Sequence, residues 1–172
     1  MTASLSLTAG VFVGLGANLP SELGSPLETL EEALRALVCA EVAVLRRSPW
    51  YESEPVPKSD QPWFINGVAE LATSLAPSDL LARLHRIEAD LGRVRRERWE
   101  ARVVDLDLLD YRGMVHDGPA PVLPHPRVHE RSFVLLPLRD LAPDWCDPVS
   151  GTTIETLIAR LPADTGVVRA IG

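Results

Sequence analysis

The chain has 172 residues, 46% of them hydrophobic and 24% charged, which is the length and balance of one soluble globular domain. A formal charge of −7 sets it against nucleic acid and anionic membranes as partners. No run reaches the ~20 apolar residues of a membrane span. Cys39 and Cys146 stand far apart and form no metal-ligand cluster.

Residues 1–10 carry no positive charge and no long apolar run, so they read as a flexible tail and not as a signal peptide. Reduced thiols and a cytoplasmic location are expected. Residues 11–172 are expected to form a single domain. Val11 to Gly16 is short and β-favouring, a buried strand. Ser25 as N-cap and Pro26 at the first helical position open a helix with apolar residues at Leu27, Leu30, Ala33, Leu34, Leu37 and Val38. Val42 to Trp50 reads as a strand with a kink near Pro49. Prolines at 55, 57 and 62 make Ser53 to Pro62 a loop. Phe64 to Thr73 is a strand, and Ser74 to Leu91 is a helix stopped by Gly92. An arginine-rich loop at 93–102 leads into a strand from Val103 to Tyr111. A proline-rich loop follows at 119–126, then a helical stretch from Arg131 to Leu141 containing Pro137, and a last short helix near Thr153 to Leu161. The β-α-β-β-α-β order predicts an α+β, ferredoxin-like sandwich with a helical C-terminal extension.

The strongest chemical signal is Val103-Val104-Asp105-Leu106-Asp107-Leu108-Leu109. Strand side chains alternate between faces, so Asp105 and Asp107 share one face while Leu106 and Leu108 enter a core. Two neighbouring carboxylates repel and call for positive charge. A hard cation such as magnesium takes one or two protein carboxylates and completes its shell with water and phosphate. The pair by itself fits a turn cap and a solvated acid equally well. Beside it, however, stand Arg93, Arg95, Arg96, Arg98 and Arg102, whose planar forks suit phosphate oxygens. A basic loop running into a two-acid strand can hold both ends of a metal–polyphosphate complex.

No glycine-rich phosphate loop accompanies these residues: the only lysine, Lys58, follows Pro57, and Gly14-Leu15-Gly16 lacks a third glycine. The two glycines read as positions of close backbone approach beside a ligand or helix. Trp50, Trp63, Phe64, Trp99 and Phe133 could stack an aromatic ligand or could serve as ordinary core and loop anchors. Asn66 follows Phe64 at strand spacing and offers the donor and acceptor that a heterocycle edge requires. His125 and His129 have a helical zinc spacing without a supporting motif; His125, between two prolines, could contact phosphate instead.

These pieces together resemble the 6-hydroxymethyl-7,8-dihydropterin pyrophosphokinase family. The segments are G-L-G-A-N-L (14–19), D-Q-P-W-F-I-N (60–66), R-I-E-x-x-x-G-R-V-R (86–95), R-W (98–99), A-R-V-V-D-L-D-L-L (101–109), L-P-H-P (123–126) and R-S-F-V-L-x-P-L (131–138). The resemblance implies the ferredoxin-like fold, ATP as co-substrate, two magnesium ions, and attack of the pterin hydroxyl on the β-phosphorus with release of AMP. It implies magnesium on Asp105 and Asp107, and catalytic phosphate contacts from Arg93 and Arg102. It implies a pterin site of Ser53, Val56, Phe64, Asn66, Trp99 and Phe133. It implies nucleotide contacts from His85, Glu88, Arg93, Arg95, Arg98, Arg102, Leu108, His125 and Arg131. The small-molecule substrates are its only implied partners, with neither nucleic acid nor membrane, and the chain is expected to be a monomer.

The sequence departs from the family pattern at Glu54-Pro55, where two prolines are usual, at Ala101, where proline is usual, and at Phe64, where tyrosine is frequent. Two other readings use the same features. A two-metal nucleotidyltransferase or nuclease would share the aspartate pair, but it would bind a strand that the negative charge disfavours. An RNA-recognition sandwich would need stacking aromatics on its central strands, and Val11 to Gly14 and Val103 to Leu109 lack them.

Overall fold

The structure, a computed structural model, describes residues 9–93, 101–163, 165–166 and 168–171. Its elements are β1 (Val11–Ala17), α1 (Pro26–Leu37), β2 (Val42–Arg47), β3 (Trp50–Ser53), β4 (Phe64–Thr73), α2 (Pro77–Asp90), β5 (Asp105–Tyr111), α3 (Ser132–Leu141), α4 (Ile154–Ala159) and β6 (Val168–Ile171). A single 3-10 turn, Val128–Glu130, leads into α3.

The sheet runs β5-β1-β4-β3-β6, with β2 also paired to β4. Every pairing is antiparallel. This is the α+β, ferredoxin-like arrangement, with the second strand of the motif broken in two. Pro49 cannot donate to a ladder. The Ser48 hydroxyl takes over at the break, accepting the Val68 N–H at 3.0 Å. β2 therefore pairs with one end of β4 and β3 with the other.

Alternation divides the sheet between two cores. One face sends Val13, Leu15, Leu106 and Leu108 against Leu30, Ala33 and Leu37 of α1 and Leu80, Leu84 and Ile87 of α2. The opposite face sends Phe12, Val68 and Leu109 against α3, α4 and Trp145. α1 begins where the sequence places it. The Ser25 hydroxyl accepts the Glu28 N–H while the Glu28 carboxylate accepts the Ser25 N–H, a reciprocal cap at the predicted N-terminus.

The C-terminal extension, expected to be helical, also contributes a strand. β6 adds a strand outside β3, with Glu52 bound to Arg169 across the pair. Four residues are too few for a local strand signal, and their partners lie more than a hundred positions earlier. Among the described residues no helix is long and apolar enough to cross a membrane.

Candidate active site

α3 and α4 cover only part of their face of the sheet. Beyond the first turn of α3 the sheet floors a cavity of about 300 Å³, within the range of small-molecule sites. The floor comes from register. Gly16 lies between Asn66 of β4 and Asp105 of β5, and Gly14 lies between Val68 and Asp107. Glycine at position 16 leaves room for the Asn66 amide: a Cβ there would stand 2.9 Å from Asn66 Oδ1. The central strand thus leaves bare backbone between an amide on one side and two acids on the other.

Asp105 and Asp107 do share that face. Asp105 is held by guanidinium groups from both ends of the arginine-rich segment. Arg93 Nη1 donates to Oδ1 at 2.6 Å, and Arg102 Nη1 donates to Oδ2. Arg93 is placed by the end of α2. Gly92 takes φ +95°, in the left-handed region that favours glycine, and turns the chain so that Arg93 also pairs with Glu88 of the helix. Asp107 has a weaker partner, Arg131 Nη1 at 3.6 Å. Burial first, and the charge of Asp105 second, push its carboxyl up to about 6, against the pull of Arg131, Arg102 and Arg93. This end of the cavity resists a second negative charge unless more positive charge arrives.

That property bears on the implied metal. Two adjacent carboxylates, one of them disfavoured as an anion, suit a hard divalent cation that draws its remaining ligands from water and phosphate. Among the described residues no group of three or more His, Cys, Asp and Glu side chains could form a closed metal site. The donor set fits an open, substrate-completed site.

The other expected residues divide by depth. Ser53, Val56, Phe64, Asn66, Phe133, Arg102 and Arg131 line the cavity. Asn66 Nδ2 donates to Ser53 Oγ at 2.7 Å, which fixes the amide. Phe64 enters from β4 and Phe133 from the first turn of α3, with Arg131 over the Phe133 ring at 5.7 Å. Glu88 lies a layer behind, 1% exposed and bound to Arg93. The Leu108 side chain is in the core, so only its backbone can face a ligand. His85 is on the exposed side of α2. Arg95, Arg98 and Trp99 lie outside the described residues.

His125 is moored to β5 through a bulge. Val13 pairs with Leu108 and Phe12 with Asp110, so Leu109 is an extra residue in the ladder. Its carbonyl accepts the His125 N–H at 2.8 Å. The bulge also puts Asp110 on the same side as Leu109, where the Trp145 indole N–H donates to it at 2.8 Å. Burial, then the neighbouring Arg131 charge, lowers the His125 imidazole to about 4, so it is neutral at physiological pH. Nδ1 accepts the Arg127 N–H at 3.1 Å. The proton therefore sits on Nε2, leaving a donor there.

Three residues with no individual sequence signal also belong here. Arg127 lines the cavity, beside Glu130 at 3.1 Å. Ser132, between Arg131 and Phe133, lines it with a buried hydroxyl that has no hydrogen-bond partner among the described residues. Asn18, just past the glycine floor, is 2% exposed and makes hydrogen bonds to both loops that wall the cavity.

The sequence model of the family described as 7,8-dihydro-6-hydroxymethylpterin-pyrophosphokinase (HPPK) matches residues 12–143. The 2-amino-4-hydroxy-6-hydroxymethyldihydropteridine pyrophosphokinase of Pseudomonas aeruginosa is 43% identical over 163 residues, covering 94% of this chain and 97% of that one. Its counterpart in Synechocystis is 42% identical over 153 residues, covering 88% and 76%. Among solved structures, wild-type HPPK-DHPS of Plasmodium falciparum with pteroate superposes with a TM-score of 0.66 at 13% identity. The match covers 88% of this chain and 44% of that longer one, and at such low identity it speaks for the fold alone. With its ferredoxin-like sheet, its paired acids and a family match across most of its length, the chain belongs to the 7,8-dihydro-6-hydroxymethylpterin-pyrophosphokinase family.

Proposed function

We propose that the cavity over Gly14 and Gly16 is where the chain carries out its family's reaction, transfer of diphosphate from ATP to 6-hydroxymethyl-7,8-dihydropterin with release of AMP. The observation that carries the assignment is the register around β1. It sets a hydrogen-bonding amide at Asn66 and two acids at 105 and 107 on opposite sides of one bare strand. A flat heterocycle fits the Phe64, Asn66 and Phe133 end, with Ser53 fixing the amide and Val56 at the rim. Phosphates fit the end bearing Arg102 and Arg131, with the Nε2–H of His125 as a further donor. Arg93 reaches the same charges through Asp105.

In the reaction, the bond from the pterin hydroxyl oxygen to the β-phosphorus forms and the bond from the β-phosphorus to the α-phosphate bridging oxygen breaks. The hydroxyl loses its proton and AMP departs. Transfers of this type need positioning and charge stabilisation more than covalent help. Asp105 and Asp107 would hold two magnesium ions, which when bound neutralise phosphate charge and acidify the attacking hydroxyl. Arg93 and Arg102, which pair with Asp105, would meet charge that grows on the transferring group. Glu88 keeps Arg93 oriented. Arg95, Arg98 and Trp99 are proposed to add to the phosphate and pterin contacts, and His85 and the Leu108 backbone to the nucleotide contacts. We further propose that the chain acts as a cytoplasmic monomer whose partners are the small molecules ATP and the reduced pterin.

The test is release of AMP from ATP, followed with and without the reduced hydroxymethyl-pterin and with and without magnesium. AMP formation that requires both supports the assignment. AMP formed equally without the pterin refutes it.

A further inference from the structure

Arg169 of β6 works from the side of the sheet away from the cavity. Side chains alternate along β3, so Ser53 faces the cavity and Glu52 the opposite side. Arg169 lies opposite Glu52 in the β3–β6 pair. Its Nε and Nη2 both donate to Glu52 Oε2, at 2.8 and 2.6 Å. Its guanidinium carbon also lies 5.1 Å from the centre of the Trp63 ring, a cation over an aromatic face. Glu52 immediately precedes Ser53, and Trp63 immediately precedes Phe64. Ser53 and Phe64 lie opposite each other in the β3–β4 pair, and both line the cavity. One side chain therefore grips the neighbour of each. β3 has four residues, and β4 pairs with only three of them, Tyr51 to Ser53. β6 pairs with all four. Just before β6, Gly166 takes φ +86° and lies against the loop that leaves β3: a Cβ there would stand 3.5 Å from Val56 Cγ2 and 3.6 Å from Glu54 Cβ. Thr165 beside it lines the cavity.

We infer that Arg169 is a positioning residue for the heterocycle end of the cavity, holding Ser53 and Phe64 at their mutual spacing from the back of the sheet. This rests on the diphosphate-transfer reading above. Ser53 in turn fixes the Asn66 amide at 2.7 Å, so the strand that Arg169 clamps carries the orientation of the hydrogen-bonding edge. Arg169 itself faces away from the ligand, and its effect passes through β3 and through the Trp63–Phe64 step. Arginine suits the place because its planar fork donates twice to one carboxylate while its face covers an indole. Lysine keeps the charge and a single donor group. Methionine keeps most of the length and neither interaction.

The experiment is calorimetric titration of the full chain, saturated with magnesium and α,β-methylene-ATP, with 6-hydroxymethyl-7,8-dihydropterin. Wild type, Arg169→Met, Arg169→Lys and Glu52→Gln are compared, and nucleotide affinity is measured separately for each. Arg169→Met should weaken pterin binding about fivefold, the combined loss of one exposed ion pair and one exposed cation–aromatic contact. Nucleotide affinity should stay within about twofold, because the phosphate end shares no partner with Arg169. Arg169→Lys should recover most of the loss, which a merely structural defect would not show. Glu52→Gln removes the ion pair and keeps the indole contact. It should lower pterin affinity less and in the same direction, and it decides the matter should Arg169→Met fail to fold. Pterin affinity unchanged in the folded variants, or pterin and nucleotide affinity falling together, overturns the positioning role alone. A wild-type chain that binds no pterin overturns the substrate reading and the positioning role with it.

Discussion

Replacing Asp107 with asparagine should make the metal-free protein more stable while abolishing its activity. Burial and the Asp105 charge raise the Asp107 carboxyl from 3.8 to about 6, and that value already includes the attraction of three arginines. The folded protein therefore holds this proton more tightly than the unfolded chain does. The sign follows: stability is full below the unfolded value, declines as pH rises toward the folded value of about 6, and stays lower above it. A displacement of this size corresponds to ~3 kcal/mol of disfavoured ionisation. About a third of the side chain is open to the cavity, 32% exposed, and solvent screening reduces the recoverable part to ~1–2 kcal/mol. Asparagine cannot ionise, so in a chelator at pH 8 Asp107→Asn should melt about 3–6 °C above wild type. At pH 4 most of the difference should be gone. Adding magnesium with a non-hydrolysable ATP analogue should raise the wild-type melting temperature and leave that of the variant nearly unmoved. Turnover should fall by several orders of magnitude. Thermal melts across pH 4–8, in chelator and in magnesium, check all of this. A variant no more stable than wild type at pH 8 would refute the claim that the folded site disfavours this charge.

Other substitutions separate the parts of the site. Gly16→Ala drives a Cβ to 2.9 Å from Asn66 Oδ1, so pterin KM should rise at least ~10-fold, the cost of one displaced hydrogen-bonding group, with the fold intact by circular dichroism. Phe133→Ala removes an aromatic wall, and direct titration should show a loss of ~1–3 kcal/mol in pterin affinity with nucleotide affinity nearly unchanged. Trp145→Phe takes the indole donor from the buried Asp110 carboxylate and should cost ~1–3 kcal/mol in denaturant unfolding while kcat and KM hold.

The elements that sequence reading located best carry their own signals. β4 shows alternation between two turn-rich boundaries and runs from Phe64 to Thr73 as expected. α1 is announced by Ser25 and Pro26. α2 begins at Pro77, later than Ser74, because the first turn waits for the fixed φ of proline. The shared face of Asp105 and Asp107 follows from a period of two and from leucines between them. The rest of the site is built by contacts that cross the chain. Nothing near Asn18 foretells bonds to Gln61 and Arg102, because those partners meet it only when β1, β4 and β5 pair. Ser132 is overshadowed by its charged and aromatic neighbours. Glu88 reads locally as an acid at the end of a helix, and only the turn at Gly92 reveals that Arg93 folds back onto it.

The two walls of the cavity differ in how they are fastened. The segment carrying His125 hangs from the surplus carbonyl of Leu109, a joint made of main-chain atoms that any residue but proline at position 125 could supply. The loop at Gln61 and Pro62 is tied to the end of β1 by the amide side chain of Asn18, for which the genetic code offers no substitute of equal reach with both a donor and an acceptor. Drift in sequence should therefore be tolerated along the proline-rich loop far more readily than at position 18. A compound that wedges open the contact between Asn18 and Gln61 would meet a surface this enzyme has little freedom to alter.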